Sequence, residues 1–366
     1  MLNHKDHFHG SDLEKIEEIY HINKEDIISF SANINPLGIP GDLKKYLSQH
    51  LDAISSYPDR EYKNLRSCIA QYCGTNPQNV IVGNGSTELI SLMIENVHPK
   101  RAMILGPSYS EYEREISLCG GHTLYYPLKE EQDFLLDVQD LCVHLTSRLD
   151  MLVICNPNNP TSTSITYPQM RRILDACLQH GIFAMVDETY VEFTDPASDV
   201  SSIKLTNYYT NLVVLRGTSK FFAAPGLRLG YAVTGNQDMI RKVSTRQNPW
   251  TISSLAEIAG CLMFRDKDYQ KQTLDLITEE RDRVYRELCS WKSVKAFKPS
   301  ANFILVKILR EDVDADELFD HCIRKNMMIR NCSTFPFLNN KFFRFCFMKK
   351  EDNDRLLAAL REVLED

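Results

Sequence analysis

Five short apolar runs recur between residues 80 and 215: Val80-Ile81-Val82, Ala102 to Leu105, Met151 to Cys155, Ile182 to Val186 and Leu212 to Leu215. Stretches with helical periodicity lie between them, among them Thr87 to Asn96, Glu111 to Leu118 and Tyr167 to His180. Runs that are apolar at every position suit strands buried on both faces, and burying both faces takes crossover helices. The alternation from about 80 to 235 therefore predicts an α/β fold with an open, mostly parallel sheet. Such sheets bind ligands beyond the carboxyl ends of their strands, so the residues after each run are where function is to be sought.

The rest of the chain divides around that region. Residues 1–40 read as an N-terminal arm that contributes to the small domain and the active site, with a charged helical stretch from Ser11 to Tyr20 and a loop-forming end, Ile28 to Pro40, punctuated by Asn35-Pro36 and Gly38. Residues 41–240 form the large domain. The polar, helical stretch from Met239 to about Leu288 predicts a linking helix over 241–290. Residues 291–366 return to strands (Asn302 to Lys307, Phe342 to Phe347) flanked by helices (Asp314 to Lys325, Asp352 to Leu364), which reads as a smaller α+β domain.

Composition excludes several classes. With 366 residues, 43% hydrophobic and 25% charged, the chain has ample core and needs no disulfide or metal staple. A net charge of -7 with scattered Lys and Arg gives no footprint for nucleic acid. The eleven cysteines show no C-x-x-C spacing and several lie in apolar runs, as expected of reduced thiols in a cytoplasmic protein. No run approaches the ~20 apolar residues of a membrane span, and the N-terminus lacks the apolar stretch of a signal peptide. No metal site is expected, although His4, His7 and His9 make a metal-like cluster by spacing.

Four of the runs end in polar clusters. The first is followed by Gly83-Asn84-Gly85-Ser86-Thr87-Glu88 and then a helical pattern; glycines let the backbone approach closely, and a helix N-terminus attracts an anion such as phosphate. The third ends in Asn156-Pro157-Asn158-Asn159-Pro160-Thr161, and the fourth in Asp187-Glu188-Thr189-Tyr190. Asp187 directly follows a buried strand, where a carboxylate needs a cation or donors. After the fifth come Arg216-Gly217-Thr218-Ser219-Lys220-Phe221-Phe222 and, eight residues beyond the lysine, Arg228. Apolar surroundings lower the pKa of Lys220 and make its amine a nucleophile for aldehydes. One cofactor accounts for all four clusters. Pyridoxal 5'-phosphate needs a lysine for its aldehyde, a carboxylate for its ring nitrogen, donors for its phenolic oxygen and an anion cradle for its phosphate.

The order and spacing of Asn-Asn-Pro-Thr, Asp-Glu-x-Tyr and Ser-Lys…Arg resemble the fold type I pyridoxal-phosphate enzymes of the aminotransferase class I/II group, over essentially the whole chain. The resemblance implies a large domain with a mostly parallel sheet and a smaller C-terminal α+β domain. Lys220 would bond the cofactor aldehyde, Asp187 would face the ring nitrogen, Tyr190 and Asn159 the phenolic oxygen, and Tyr109 would stack on the ring. Gly85, the Ser86 and Thr87 amides, Ser219 and Arg228 would cradle the phosphate. The position matched by Tyr57 reaches the neighbouring subunit's phosphate in the family, which implies a homodimer with shared sites. Arg344 matches the arginine for the substrate's anionic group and Arg330 a second anion-binding arginine, while Asn33 and His9 would line the substrate side together with Asn159.

Within the group, the chain resembles the branch that holds histidinol-phosphate aminotransferases and threonine-phosphate decarboxylases. His9-Gly10 and the run Phe30 to Gly38 point to the decarboxylases, which work in cobalamin biosynthesis. Two positions depart from the pattern: Ser162 stands where relatives have glycine, and Gly10 is followed by Ser11-Asp12 where the decarboxylases have Gly-Asn. The resemblance implies decarboxylation of L-threonine O-3-phosphate, with transamination using 2-oxoglutarate as the rival. A silent, cofactor-binding transcription regulator is the third reading, but no basic helix-turn-helix extension is present.

Overall fold

In the computed structural model, which describes residues 12–365, the apolar runs become the core of a seven-stranded sheet. Its order is Val80–Asn84, Leu229–Val233, Leu212–Gly217, Phe183–Asp187, Met151–Cys155, Arg101–Gly106 and His122–Pro127. Every neighbouring pair is parallel except the two made by Leu229–Val233, which runs against both its neighbours. Two of the seven are not apolar runs. His122–Pro127 lies at the sheet edge with alternating exposure, and Leu229–Val233 is interrupted by Gly230.

Alternate residues of these strands feed two cores, as the pleat requires. Ile81, Ile104, Val153, Met185, Val213 and Ala232 pack on one face, under Leu89, Met93 and Tyr112 from the helices Gly85–Val97 and Glu111–Leu118. Leu105, Leu152, Ile154, Val186 and Val214 face the other core, which includes Ile173 and Leu174 of the helix Tyr167–His180. That helix starts at a reciprocal capping box between Thr166 and Gln169 and stops at Gly181, which takes the left-handed conformation.

The single linking helix expected over 241–290 is corrected to three: Gln237–Arg246, Ser254–Met263 and Lys267–Cys289. Pro249 has no amide to continue the first, and Ser253 and Asp266 cap fresh starts by accepting from the Ala256 and Tyr269 amides. Helical periodicity persisted through the breaks, which is why composition alone ran the three together.

Residues beyond the last helix build an antiparallel four-stranded sheet, ordered Arg330–Asn331, Phe342–Cys346, Phe303–Ile308, Val294–Ala296, beside the helices Ala315–Ile323 and Lys350–Leu364. The arm joins this unit: Ile28–Ser29 pairs in parallel with Met327–Met328, and the Phe30 carbonyl accepts from the Cys346 amide at 2.8 Å. It then crosses to the large sheet, where the Asn35 amide donates to the Lys220 carbonyl at 3.0 Å and Asn35 Nδ2 to the Phe221 carbonyl at 2.8 Å. Among the described residues, no helix is long and apolar enough to cross a membrane.

Candidate active site

Parallel strands end on the same side of a sheet, and the one antiparallel strand begins there. Gly217 therefore lies opposite Gly230, Asn84 opposite Leu229, and Asp187 opposite both Cys155 and Leu215. At one side of this row, two glycines allow a close approach. A Cβ on Gly230 would lie 2.5 Å from the Gly85 carbonyl carbon and the Ser86 nitrogen, and one on Gly85 would lie 2.2 Å from an Arg228 guanidinium nitrogen. The helix Gly85–Val97 is thus pressed onto the strand with the Arg228 guanidinium over its first turn. Glu88 accepts from the Asn84 amide at 2.7 Å, whereas the Ser86 and Thr87 amides belong to the first turn, which has no intrahelical acceptors. Open amides, the helix dipole and a guanidinium form an anion cradle.

Asp187 is 4% exposed. Its carboxylate accepts from the Tyr112 hydroxyl at 2.7 Å and from the Thr189 amide and hydroxyl at 2.9 and 2.5 Å. All three donors are neutral, and burial raises its pKa above the usual carboxylate range. A cationic N–H is the partner that such a carboxylate lacks. Tyr112 did not emerge from the sequence; it lies in the first turn of the helix Glu111–Leu118, just beyond the loop that carries Tyr109. Their rings meet edge to face at 5.6 Å.

Lys220 Nζ donates to the Ala32 carbonyl at 2.6 Å, and its pKa falls to about 8, through burial first and the charge of Arg344 second. Tyr190 is buried against Phe303, its pKa is pushed up by that burial, and its oxygen accepts from Asn33 Nδ2 at 3.4 Å. Asn33 holds a left-handed backbone, with φ at 55°. Arg344 donates to Asn159 Oδ1 and, at 2.7 Å, to the Ser31 carbonyl, with its guanidinium over Phe303. Because Asn159 spends its oxygen on Arg344, its Nδ2 is the group left to offer a ligand.

Arg330 stands directly opposite Arg344 in the small sheet. It donates to Thr334 Oγ1 at 3.1 Å and lies over Phe335; burial and Arg344 lower its pKa to about 10. Like charges directly across a strand pair are unfavourable and draw anions, and the charge of Asp12 offsets part of the shift at Arg330. Several buried polar atoms also lack a partner among the described residues, including Ser31 Oγ, Asn33 Oδ1, Ser108 Oγ, Asn158 Oδ1 and Arg344 Nε. Folded proteins satisfy such atoms, and Ser31 and Asn33 flank Ala32, whose carbonyl accepts from Lys220, which marks this stretch of the arm as facing a ligand.

Ser162 has φ at 60°, a conformation glycine takes without cost. Its hydroxyl offsets the strain by accepting from the Ser300 and Ala301 amides at 3.2 and 3.0 Å, which ties the Asn159 loop to the small domain. Tyr57 and His9 are not among the residues brought together, and no contact of the Ser219 side chain among the described residues places it in the cradle. Tyr57 is 78% exposed and packs on Trp250 at 4.6 Å, and His9 lies outside the described residues.

A buried lysine of lowered pKa, a buried carboxylate with only neutral donors, amide and phenol groups and an anion cradle at the strand ends fit pyridoxal 5'-phosphate group by group; the fold is that of a fold type I pyridoxal-phosphate enzyme. More particularly, the chain belongs to the aminotransferase class I and II family, whose model matches residues 25–360, and its cofactor is pyridoxal 5'-phosphate. It is 33% identical over 356 residues to a threonine-phosphate decarboxylase of Salmonella typhimurium, covering 97% of this chain and 96% of that one. It is 32% identical over 347 residues to a histidinol-phosphate aminotransferase of Desulfitobacterium hafniense, covering 93% and 92%. The crystal structure of the histidinol-phosphate aminotransferase from Clostridium acetobutylicum superposes with a TM-score of 0.85 at 32% identity, over 92% of this chain and 98% of that one.

Proposed function

We propose that the protein decarboxylates L-threonine O-3-phosphate to an aminopropanol phosphate and works as a homodimer. The observation that carries this reading is the facing pair Arg330 and Arg344, two guanidinium groups whose repulsion a phosphate dianion relieves. Similarity to the Salmonella typhimurium threonine-phosphate decarboxylase supports it.

Bound pyridoxal 5'-phosphate supplies an electron sink for the bond broken at the substrate's Cα. Asp187 would hold the proton on the ring nitrogen, while Tyr190 and Asn159 Nδ2 would hydrogen-bond the phenolic oxygen. Tyr109 would pack against the ring. The Gly85-Ser86-Thr87 turn, Ser219 and Arg228 bind the cofactor phosphate, joined by Tyr57 of the second copy. Arg330 and Arg344 bind the substrate's distal phosphate beside Asn33 and His9, which leaves the α-carboxylate without a cation. That carboxylate departs as CO2, and Lys220 delivers a proton to Cα in its place.

Transamination is the second reading, and the match to histidinol-phosphate aminotransferases favours it. There one arginine would hold the α-carboxylate, and Lys220 would take the Cα proton instead. Mass spectrometry after incubation of the loaded enzyme with L-threonine O-3-phosphate and no keto acid separates the two. The expected product is an amine lighter by CO2 with the cofactor aldehyde intact. Recovery of the cofactor in its amino form, or no reaction, overturns the decarboxylase reading.

A further inference from the structure

Ser31 lies in the arm, within the Phe30 to Gly38 run. It is 1% exposed, and its hydroxyl has no hydrogen-bond partner among the described residues. Its carbonyl accepts from Arg344 Nη2 at 2.7 Å, so the backbone at 31 is fixed relative to that guanidinium. Ser31 and Arg330 line one small cavity, together with Met328, Ser333 and Thr334. Asp316 also borders it, but its Oδ1 accepts from Asn331 Nδ2 at 2.7 Å, which engages the carboxylate on the strand side.

Arg344 donates through one N–H of each Nη, to Asn159 and to the Ser31 carbonyl, and among the described residues its buried Nε lacks a partner. The guanidinium groups of Arg344 and Arg330 are enough for the two oxygens of a carboxylate. A phosphate monoester presents three terminal oxygens, spread tetrahedrally, and so can use a further donor outside the guanidinium planes. We propose that the Ser31 hydroxyl is that donor, a hydrogen bond to the anion held by Arg330 and Arg344 that selects phosphate over carboxylate. The assignment rests on the phosphorylated-substrate reading above, whichever bond at Cα is then broken.

The test is calorimetric titration of the loaded enzyme with inorganic phosphate and, separately, with malonate, in wild type, Ser31→Ala and Ser31→Cys. Loss of one hydrogen bond to a charged group predicts about tenfold weaker phosphate binding in Ser31→Ala. Malonate affinity is expected to change by less than about twofold, and Ser31→Cys, with a weaker donor of similar size, to fall between. The KM for L-threonine O-3-phosphate rises with the phosphate Kd while kcat holds. If wild type binds phosphate and Ser31→Ala binds it equally well, the serine's role is overturned and the substrate reading stands. If malonate weakens as much as phosphate, selection is overturned. If wild type takes up no phosphate, the phosphorylated-substrate reading falls and takes the assignment with it.

Discussion

Lys220 concentrates the chemistry in one titration. Its folded pKa of about 8 lies below the ordinary lysine value of 10.5 because burial and Arg344 penalise the ammonium. The neutral amine is the form that attacks the cofactor aldehyde, so the rate at which cofactor-free protein takes up the cofactor rises with pH, with a midpoint near 8. A midpoint near 10 in stopped-flow absorbance contradicts this. The same depression means protonation opposes folding, so the cofactor-free protein gains stability as pH rises from about 8 toward 10.5. Lys220→Ala is expected to abolish turnover, and retained turnover with native cofactor absorbance refutes the role given to it. Asp187→Asn removes the charge opposite the ring nitrogen and is expected to lower kcat by roughly a hundredfold or more, measured at saturating cofactor. The sequence singled out Asp187 because it closes a buried run, and Lys220 because Phe221-Phe222 follow it. Tyr112 was not singled out, since a buried tyrosine on a helix has many explanations.

Between strand ends and helix starts, backbone proximity replaces side-chain chemistry. Gly230→Ala would drive a methyl group into the Gly85-Ser86 backbone, 2.5 Å away, where nothing flexible can yield. A loss of ~1–3 kcal/mol in denaturant melts and weaker cofactor retention are expected; an unchanged melt argues against the close approach. Behind the site, Arg216 donates to Glu188 Oε2 through Nε and Nη2 at 3.0 and 2.7 Å, linking the strand that leads to Lys220 with the residue after Asp187. Removing one partner of a buried pair leaves a stranded charge, so Arg216→Ala is expected to cost ~3–5 kcal/mol by the same measurement. The sequence placed helix and strand cores by periodicity. It missed breaks made by single residues, Pro249 and the caps Ser253 and Asp266, because one residue barely alters a periodic pattern.

At the scale of the molecule, Tyr57 is exposed and packs at a tilt on Trp250, with Arg60 at 5.9 Å from the indole, so its side chain is open to a second copy. In the proposed homodimer Tyr57 serves the other subunit's cofactor. Mixing Lys220→Ala with Tyr57→Ala subunits then yields heterodimers with one intact site, and activity at limiting cofactor is expected to recover to roughly a quarter of wild type. No recovery after subunit exchange, confirmed by native mass spectrometry, rules out shared sites.

The sequence by itself determined the kind of sheet, the strand ends at which polar residues collect and the cofactor those residues fit. Each is a local property: a run apolar at every position, a glycine before a helix, a lysine among phenylalanines. Only the tertiary structure decided which distant groups meet. It set Arg330 across from Arg344, brought Ala32 to Lys220 and Ser31 to Arg344, and turned the strand after Arg228 antiparallel so that this arginine faces the helix start. Those encounters depend on strand register and on the path of the arm between two sheets. Register is a relation between two segments, whether neighbours in the chain or far apart in it, and neither segment carries it alone.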